Sequence, residues 1–377
     1  MRIAVITFFQ SQDNYGQLLQ CFALQKVLRE MGHRPFLIRY GFHHEFFHWF
    51  KRKNFLTKKG LKLTYHRIKE LFWPSMTFCE RGFDSFRNKH LIQSVRCYNS
   101  LAELQRNPPK ADCYITGSDQ VWAQLLSNDN NRSFFLDFGV GNVRRISYAP
   151  SFAMNDYPQE LKDRLSDQLK KFDAISVREQ SGVRICESLG FDAKLVLDPT
   201  LLLKVSDYEQ VMDKPTISNY CFVYHVNVTS KEELYWDVFF QFNKNVGYQT
   251  IASFANPQDG VNMEFLDGAK YVYPSIEKWL GYISQSEYVL TSSFHGLVFS
   301  VLFHKPFVVC LRKESMFAGN DRVMTLLRML QLEDRVMNDF VNPADILSKS
   351  IDWDAVDVTL NRNREESLLF LKNNLSK

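Results

Sequence analysis

The chain contains no CxxC pair, although it carries seven cysteines. Scattered and odd in number, they support neither a disulfide framework nor a thiolate zinc site, and a reducing compartment suits them best. Long apolar runs are missing too. The longest is interrupted by His304, Lys305 and Pro306 before it reaches the roughly 18 residues that a membrane-spanning helix requires. The opening MRIAVITFF is too short for a secretory signal and reads as a first buried strand, so a soluble, cytoplasmic protein is expected. Charge of one sign is also scarce. Lys and Arg number 46 against 42 Asp and Glu, leaving +4 over 377 residues, which argues against nucleic acid as the partner. No GxxxxGK[ST] loop and no GxSxG turn occurs, and GVGNVR at 139–144 lacks the third glycine of a dinucleotide fingerprint. One metal pattern does occur, because His44, Glu45 and His48 spell H-E-x-x-H. It has no third histidine nearby and lies away from any strand end, so no metal is expected.

What the sequence does have is bulk and rhythm. Hydrophobic residues make up 45% of the chain, enough for sizeable cores, and strand-like runs alternate with helical ones. RIAVITFF, a helix over Gln17 to Met31 and RPFLIRY form a βαβ unit that Gly32 punctuates. CYITG, RRISYAP, AISV and AKLVLDP continue the series, and one parallel sheet is expected to hold them all. After a turn-rich stretch near 213–218 a second series begins: YCFVYHV, YQTIASF, KYVYP, YVLTS and PFVVC. The fold class expected is α/β, with two Rossmann-like domains and mostly parallel sheets facing a cleft, a layout similar to that called GT-B. The boundary is placed at 205/206, with the last 30 or so residues crossing back to the first domain. Residues 43–97 interrupt the rhythm and are expected to be a helical insertion, aromatic and basic. Such a surface suits peripheral contact with an inner membrane or with a lipid-linked glycan.

In parallel α/β sheets ligands bind beyond the carboxyl ends of the strands, so the turns there carry the candidates. The first is SQDNYGQ, where Asn14, Gly16 and Gln17 open a helix. The second, TGSDQVW, presents Ser118, Asp119 and Gln120, with Asp119 as a possible base. Arg178, in SVREQSG, is suited to holding a phosphate or carboxylate but equally to pairing with Glu179 or Asp198. Asp198 before Pro199 reads as a turn former. In TSSFHG, Ser292, Ser293, His295 and Gly296 open another helix, and His295 is the strongest single candidate for chemistry. Lys305 and Arg322 are candidate anion contacts.

DNYGQLLQCFALQKVL, TGSDQVW, ISYAPSFA, ISVREQSG with LVLDPTLLL, and VLTSSFHGLVFSVLFHKPF occur in that order across roughly the first 310 residues. In this ordered set the chain resembles the polysaccharide pyruvyl transferase family. The resemblance implies a GT-B-like transferase that moves the enolpyruvyl group of phosphoenolpyruvate onto a sugar, commonly as a cyclic ketal, with release of phosphate and no cofactor. It implies His295 as general acid. It further places Ser292, Ser293, Gly296, Arg178, Lys305 and Arg322 around the donor, and Asn14, Gly16, Gln17, Ser118 and Gln120 around the acceptor. Some members carry an arginine two residues before the histidine, where this chain has Ser293, so either Arg178, Lys305 or Arg322 supplies the cation or the donor is held in a different geometry. A glycosyltransferase using a nucleotide sugar is the alternative reading.

Overall fold

The computed structural model describes residues 1–41, 81–123, 125–257, 261–312 and 319–376. Two five-stranded parallel sheets organise it. The first has the order β3-β2-β1-β4-β5 and comprises β1 (Arg2–Ile6), β2 (Arg34–Tyr40), β3 (Gln93–Tyr98), β4 (Cys113–Thr116) and β5 (Arg144–Ser147). The second repeats that arrangement as β10-β9-β8-β11-β12, with β8 (Tyr220–Val226), β9 (Gln249–Ala255), β10 (Lys270–Tyr271), β11 (Tyr288–Thr291) and β12 (Phe307–Val309). In each sheet the strand order reverses direction beside the first strand, between β1 and β4 and between β8 and β11. The crevice at such a switch point is where ligands enter α/β folds.

The central strands are buried on both faces, which is why VLT and FVYHV read as continuous apolar runs rather than as alternations. β1 pairs in register with β4 from Ile3↔Cys113 to Ile6↔Thr116, and β11 with β8 from Tyr288↔Cys221 to Thr291↔Tyr224. These registers set the turns after β1, β4 and β11 at the carboxyl edges of their sheets.

Two expectations need correction. β6 (Ile175–Val177) and β7 (Ala193–Leu195) form a separate two-stranded sheet, joined to the first by an isolated bridge between Ile146 and Ala174. The cause lies in a pair of serines. Ser147 Oγ donates to Ser176 O at 2.9 Å and Ser176 Oγ donates to Ser147 O at 2.8 Å, so side chains replace the ladder there. The second correction concerns the insertion. Its last part, QSVRCY, is β3, an edge strand of the first sheet, preceded by the helix Phe83–His90. Residues 42–80, including the H-E-x-x-H pattern and most of the basic aromatic segment, lie outside the described residues.

The two halves are fastened at several points. The long helix Trp353–Leu375 packs on the first half: Ser367 Oγ accepts from Leu197 N at 3.0 Å, and Arg364 Nε donates to Leu201 O at 2.8 Å. Tyr15 stacks on Trp279 with centroids 5.1 Å apart, and its hydroxyl donates to Pro274 O at 2.9 Å. Among the described residues no helix is long and apolar enough to cross a membrane, and Cys21, Cys97, Cys113, Cys186, Cys221 and Cys310 carry free thiols.

Candidate active site

The turn after β11 is built to hold one side chain. Thr291 Oγ1 donates to Tyr224 O at 2.7 Å and accepts from Ser293 N at 2.9 Å. Ser292 Oγ accepts from Val226 N at 3.0 Å. Ser293 is the N-cap of the helix Phe294–Leu302, its hydroxyl accepting from Gly296 N at 3.4 Å. A Cβ on Gly296 would lie 2.2 Å from Thr291 Oγ1, so only glycine lets the helix start this close to the strand. Ser292, Ser293 and Gly296 therefore use their hydrogen-bonding groups inside the scaffold. These contacts fix the ring that follows.

That ring, His295, is only 7% exposed and lies directly against the first half of the molecule. A Cβ on Gly16 would come within 2.0 Å of His295 Nδ1, so the imidazole occupies the space that any other residue at position 16 would fill. The two carboxyl-edge turns, after β1 and after β11, thus meet at a glycine and a histidine. Asn14 is the N-cap residue of the helix Tyr15–Glu30 but makes no side-chain capping bond, and Gln17 sits half-buried in its first turn.

On its other side His295 faces a buried carboxylate. Its Nε2 lies 3.7 Å from Asp198 Oδ1, an ion-pair distance too long for a direct hydrogen bond, and no hydrogen-bond partner completes it. The coupling is therefore electrostatic. Asp198 is gripped by Ser118 Oγ, Arg178 Nη1 and Thr200 Oγ1, donating at 2.8, 2.8 and 2.6 Å. Burial alone would push the Asp198 carboxyl up, but His295, Arg178 and Thr200 outweigh it and hold it well below the usual carboxylate range. Asp198 does turn the chain, accepting from Thr200 N at 3.0 Å, yet it is also the hub of the site.

Arg178 continues the network. Its Nη2 lies 3.5 Å from Asp119 Oδ1, its Nη1 reaches Ser118 Oγ at 3.2 Å, and its guanidinium stands 5.1 Å from the centre of the Phe294 ring. Asp119 is held in the left-handed region, φ 84°, by its bridge to Pro150 and by Ser151 N donating to its carbonyl at 2.8 Å. A non-glycine residue in that region is strained, and such strain concentrates at functional sites. Glu179, next in the chain, accepts from Phe152 N at 2.7 Å, and burial pushes its carboxyl up.

Two further arginines complete the cluster. Arg322 stands 5.9 Å from the Phe294 centroid, and the Gln120 amide, turned to present its oxygen, accepts from Arg322 Nη2 at 3.1 Å. Arg312, just beyond β12, is fixed through its backbone by Asn320, which accepts from its N at 3.1 Å and donates to its O at 2.9 Å. Buried atoms without a hydrogen-bond partner gather here: Asp119 Oδ2, Arg178 Nε, Glu179 Oε2, His295 Nε2 and Arg322 Nε. Folded proteins rarely leave buried polar atoms unpaired, and a concentration of them marks a place where a ligand supplies the partners.

Lys305 does not belong to this group. It precedes β12, whose Phe307 pairs with Val289, so it stands at the amino edge of the sheet, near Glu287 and away from His295. Its reading as a donor contact is corrected: the sequence showed a cation near a strand, but not at which end. A cavity of about 650 Å³ lined by Arg2, Arg29, Arg34, Arg96 and Lys110 likewise lies at the amino edge, of the first sheet. Asp198 and Arg312 are the residues that sequence reasoning underrated. Each lies three residues beyond a strand end, Asp198 after Leu195 and Arg312 after Val309, and that position was the available signal. Among the described residues no group of His, Cys, Asp and Glu could hold a metal ion.

Several solved structures are distantly similar to the chain. An alpha-glucosyltransferase in complex with UDP and a DNA 13-mer is 11% identical, with 97% of this chain and 90% of that one covered and a TM-score of 0.46. Arabidopsis thaliana UGT89C1 complexed with UDP is 11% identical over 97% and 94%, TM-score 0.47. The UDP-N-acetylglucosamine 2-epimerase of Rickettsia bellii is 11% identical over 99% and 95%, TM-score 0.48. These likenesses are too remote to bear on chemistry, and no curated protein matches the chain. The decisive match is to a family model that spans residues 14–314, from the turn beneath His295 to just past Arg312, and by it the chain belongs to the polysaccharide pyruvyl transferase family.

Proposed function

We propose that the protein transfers the enolpyruvyl group of phosphoenolpyruvate to a sugar of a polysaccharide or its precursor, with His295 as the general acid. The observation that carries this reading is the state of His295: buried, pressed onto Gly16, 3.7 Å from a carboxylate, and with Nε2 unpartnered. An imidazole held this way beside an anionic Asp198 is suited to carry a proton and deliver it to a substrate atom in the crevice.

In the proposed reaction His295 protonates the methylene carbon of the donor, which becomes a methyl group while positive character develops at the central carbon. A sugar hydroxyl attacks that carbon and gives up its proton. The bond to the phosphate oxygen then breaks, its electron pair leaving with phosphate, and a second hydroxyl closes the ketal. Of the two hydroxyl protons released, one replaces that given by His295 and the other leaves on phosphate. Asp198 stabilises the imidazolium, Arg178 holds Asp198, and Asp119 with its unpartnered oxygen is placed to receive a hydroxyl proton. The acceptor would meet Asn14, Gly16 and Gln17 on the first half, whereas the fully buried Ser118 hydroxyl is committed to Asp198 and Arg178. This chemistry calls for no cofactor, because the phosphate ester already activates the donor.

The test needs no knowledge of the acceptor. Phosphoenolpyruvate is titrated by calorimetry into the wild-type protein and the His295→Ala variant, with UDP-galactose and GDP-mannose in parallel. Saturable binding of phosphoenolpyruvate alone, altered in His295→Ala, supports the reading. Binding of a nucleotide sugar without phosphoenolpyruvate moves the protein to nucleotide-sugar glycosyl transfer.

A further inference from the structure

Resting on that reading, we infer that Arg312 and Arg322, with the amide of Gln120, form the subsite for the departing phosphate, and that Arg178 makes no direct contact with it. The division of labour follows from which cations already have counter-ions. Arg178, with a side chain 1% exposed, is engaged by Asp198 and Ser118 through Nη1 and by Asp119 through Nη2. Its charge is neutralised twice, and both terminal nitrogens are committed.

Arg322 and Arg312 present the opposite case. Among the described residues neither makes an ion pair, and the Arg322 guanidinium meets only Gln120 and the Phe294 face. The Arg312 side chain makes no hydrogen bond there, its backbone alone being tied down by Asn320. The position a Cβ would take on Gly319 lies 3.9 Å from Arg312 Nη1 and 4.0 Å from the Gln120 amide, so the two side chains converge on the same glycine. Burial, followed by repulsion from Arg178 and from Arg312, pushes the Arg322 guanidinium pKa down, while Asp119 and Glu179 offset only part of this. Burial lowers that of Arg312 too, against attraction by Glu233. Both guanidiniums remain charged at neutral pH. Two partly buried cations close together without a counter-ion among the described residues repel each other until a multiply charged anion arrives, and forked guanidiniums match phosphate oxygens.

The location suits the leaving group. Arg322 flanks Phe294, the neighbour of His295, so an anion between Arg312 and Arg322 lies beside the proton donor. When the carbon–oxygen bond breaks, negative charge grows on the phosphate, and cations already in place stabilise it without reorganising. This arrangement also answers the serine at position 293: the charge that an arginine there would supply comes from the neighbouring strand end and helix of the same half.

Inorganic phosphate and phosphoenolpyruvate are titrated separately into the full-length wild-type protein and the Arg312→Gln, Arg312→Lys and Arg322→Gln variants, with melting temperature as the check on folding. The wild type is expected to bind phosphate, with each Gln variant weakening it about ten- to a hundred-fold. Arg312→Lys, which keeps the charge without the fork, should fall between and covers the case in which Arg312→Gln does not fold. Variants that bind phosphate as tightly as the wild type overturn the inference, as does a wild type that does not bind phosphate. Should phosphate binding depend on both arginines while phosphoenolpyruvate binds no better than phosphate, the subsite stands and the pyruvyl transfer reading falls.

Discussion

At the scale of single residues, the site depends on two close approaches that the sequence does not display. In the sequence Gly16 reads as a helix-opening acceptor contact; in the fold its missing side chain also makes the room that the His295 ring occupies. Gly16→Ala is therefore expected to displace the imidazole and cut phosphoenolpyruvate-dependent phosphate release by about 10²- to 10⁴-fold, the range that a general acid contributes, with circular dichroism unchanged. Normal turnover in a folded Gly16→Ala protein would remove His295 from the mechanism. Asp198 gives a second prediction. Asp198→Asn leaves Arg178 with one of its two carboxylates, and losing one partner of a buried ion pair costs about 3–5 kcal/mol. A large fall in melting temperature together with lost activity is expected. A stable but inactive variant would show that Asp198 serves chemistry without holding the network.

At the scale of elements, helix starts do most of the positioning. The helix Gln180–Ser188 opens at Glu179, whose side chain makes no capping bond. Its cap comes from the other half of the molecule, because Asp321 Oδ2 accepts from Ser181 N at 2.8 Å and Thr325 Oγ1 accepts from Gln180 N at 3.3 Å. The same helix, Asp321–Leu330, carries Arg322 in its first turn, so one element both caps Arg178's neighbourhood and delivers a cation to the crevice. Asp321→Ala should lower stability by about 0.5–2 kcal/mol, as for other lost caps, measured by urea unfolding, and should weaken phosphoenolpyruvate binding through Arg322. Lost stability with unchanged binding would confine Asp321 to capping. The turns after β1, β4, β6 and β11 were legible from apolar runs ending in polar clusters. Lys305 was misplaced because a cation beside a strand reads the same at either end, and QSVRCY was missed because an edge strand with exposed residues gives a weak pattern.

At the scale of the whole molecule, the core adds a pH dependence of its own. His225, near the carboxyl end of β8, is fully buried among Phe254, Phe265 and Tyr271, and neither ring nitrogen has a hydrogen-bond partner. Burial pushes its pKa down to about 3 from 6.5. The unfolded chain thus binds a proton that the folded one refuses, so stability falls as pH drops from about 6.5 towards 3, by up to about 1.4 kcal/mol per pH unit. Urea unfolding at pH 7, 5 and 4 should show a shallower acid decline in His225→Leu, and an identical slope would reject this account. The sequence by itself determined the two series of parallel strands and the turns at which function gathers. Both depend on local patterns, apolar periodicity and polar residues at strand ends, that act over a few neighbouring positions. Only the tertiary structure decided that Gly16 receives His295, that Asp198 binds Arg178, and that Arg312 and Arg322 make no ion pair among the described residues. Those facts arise when two sheets are brought face to face, since charge pairing and close contact depend on distances in space that sequence separation does not encode.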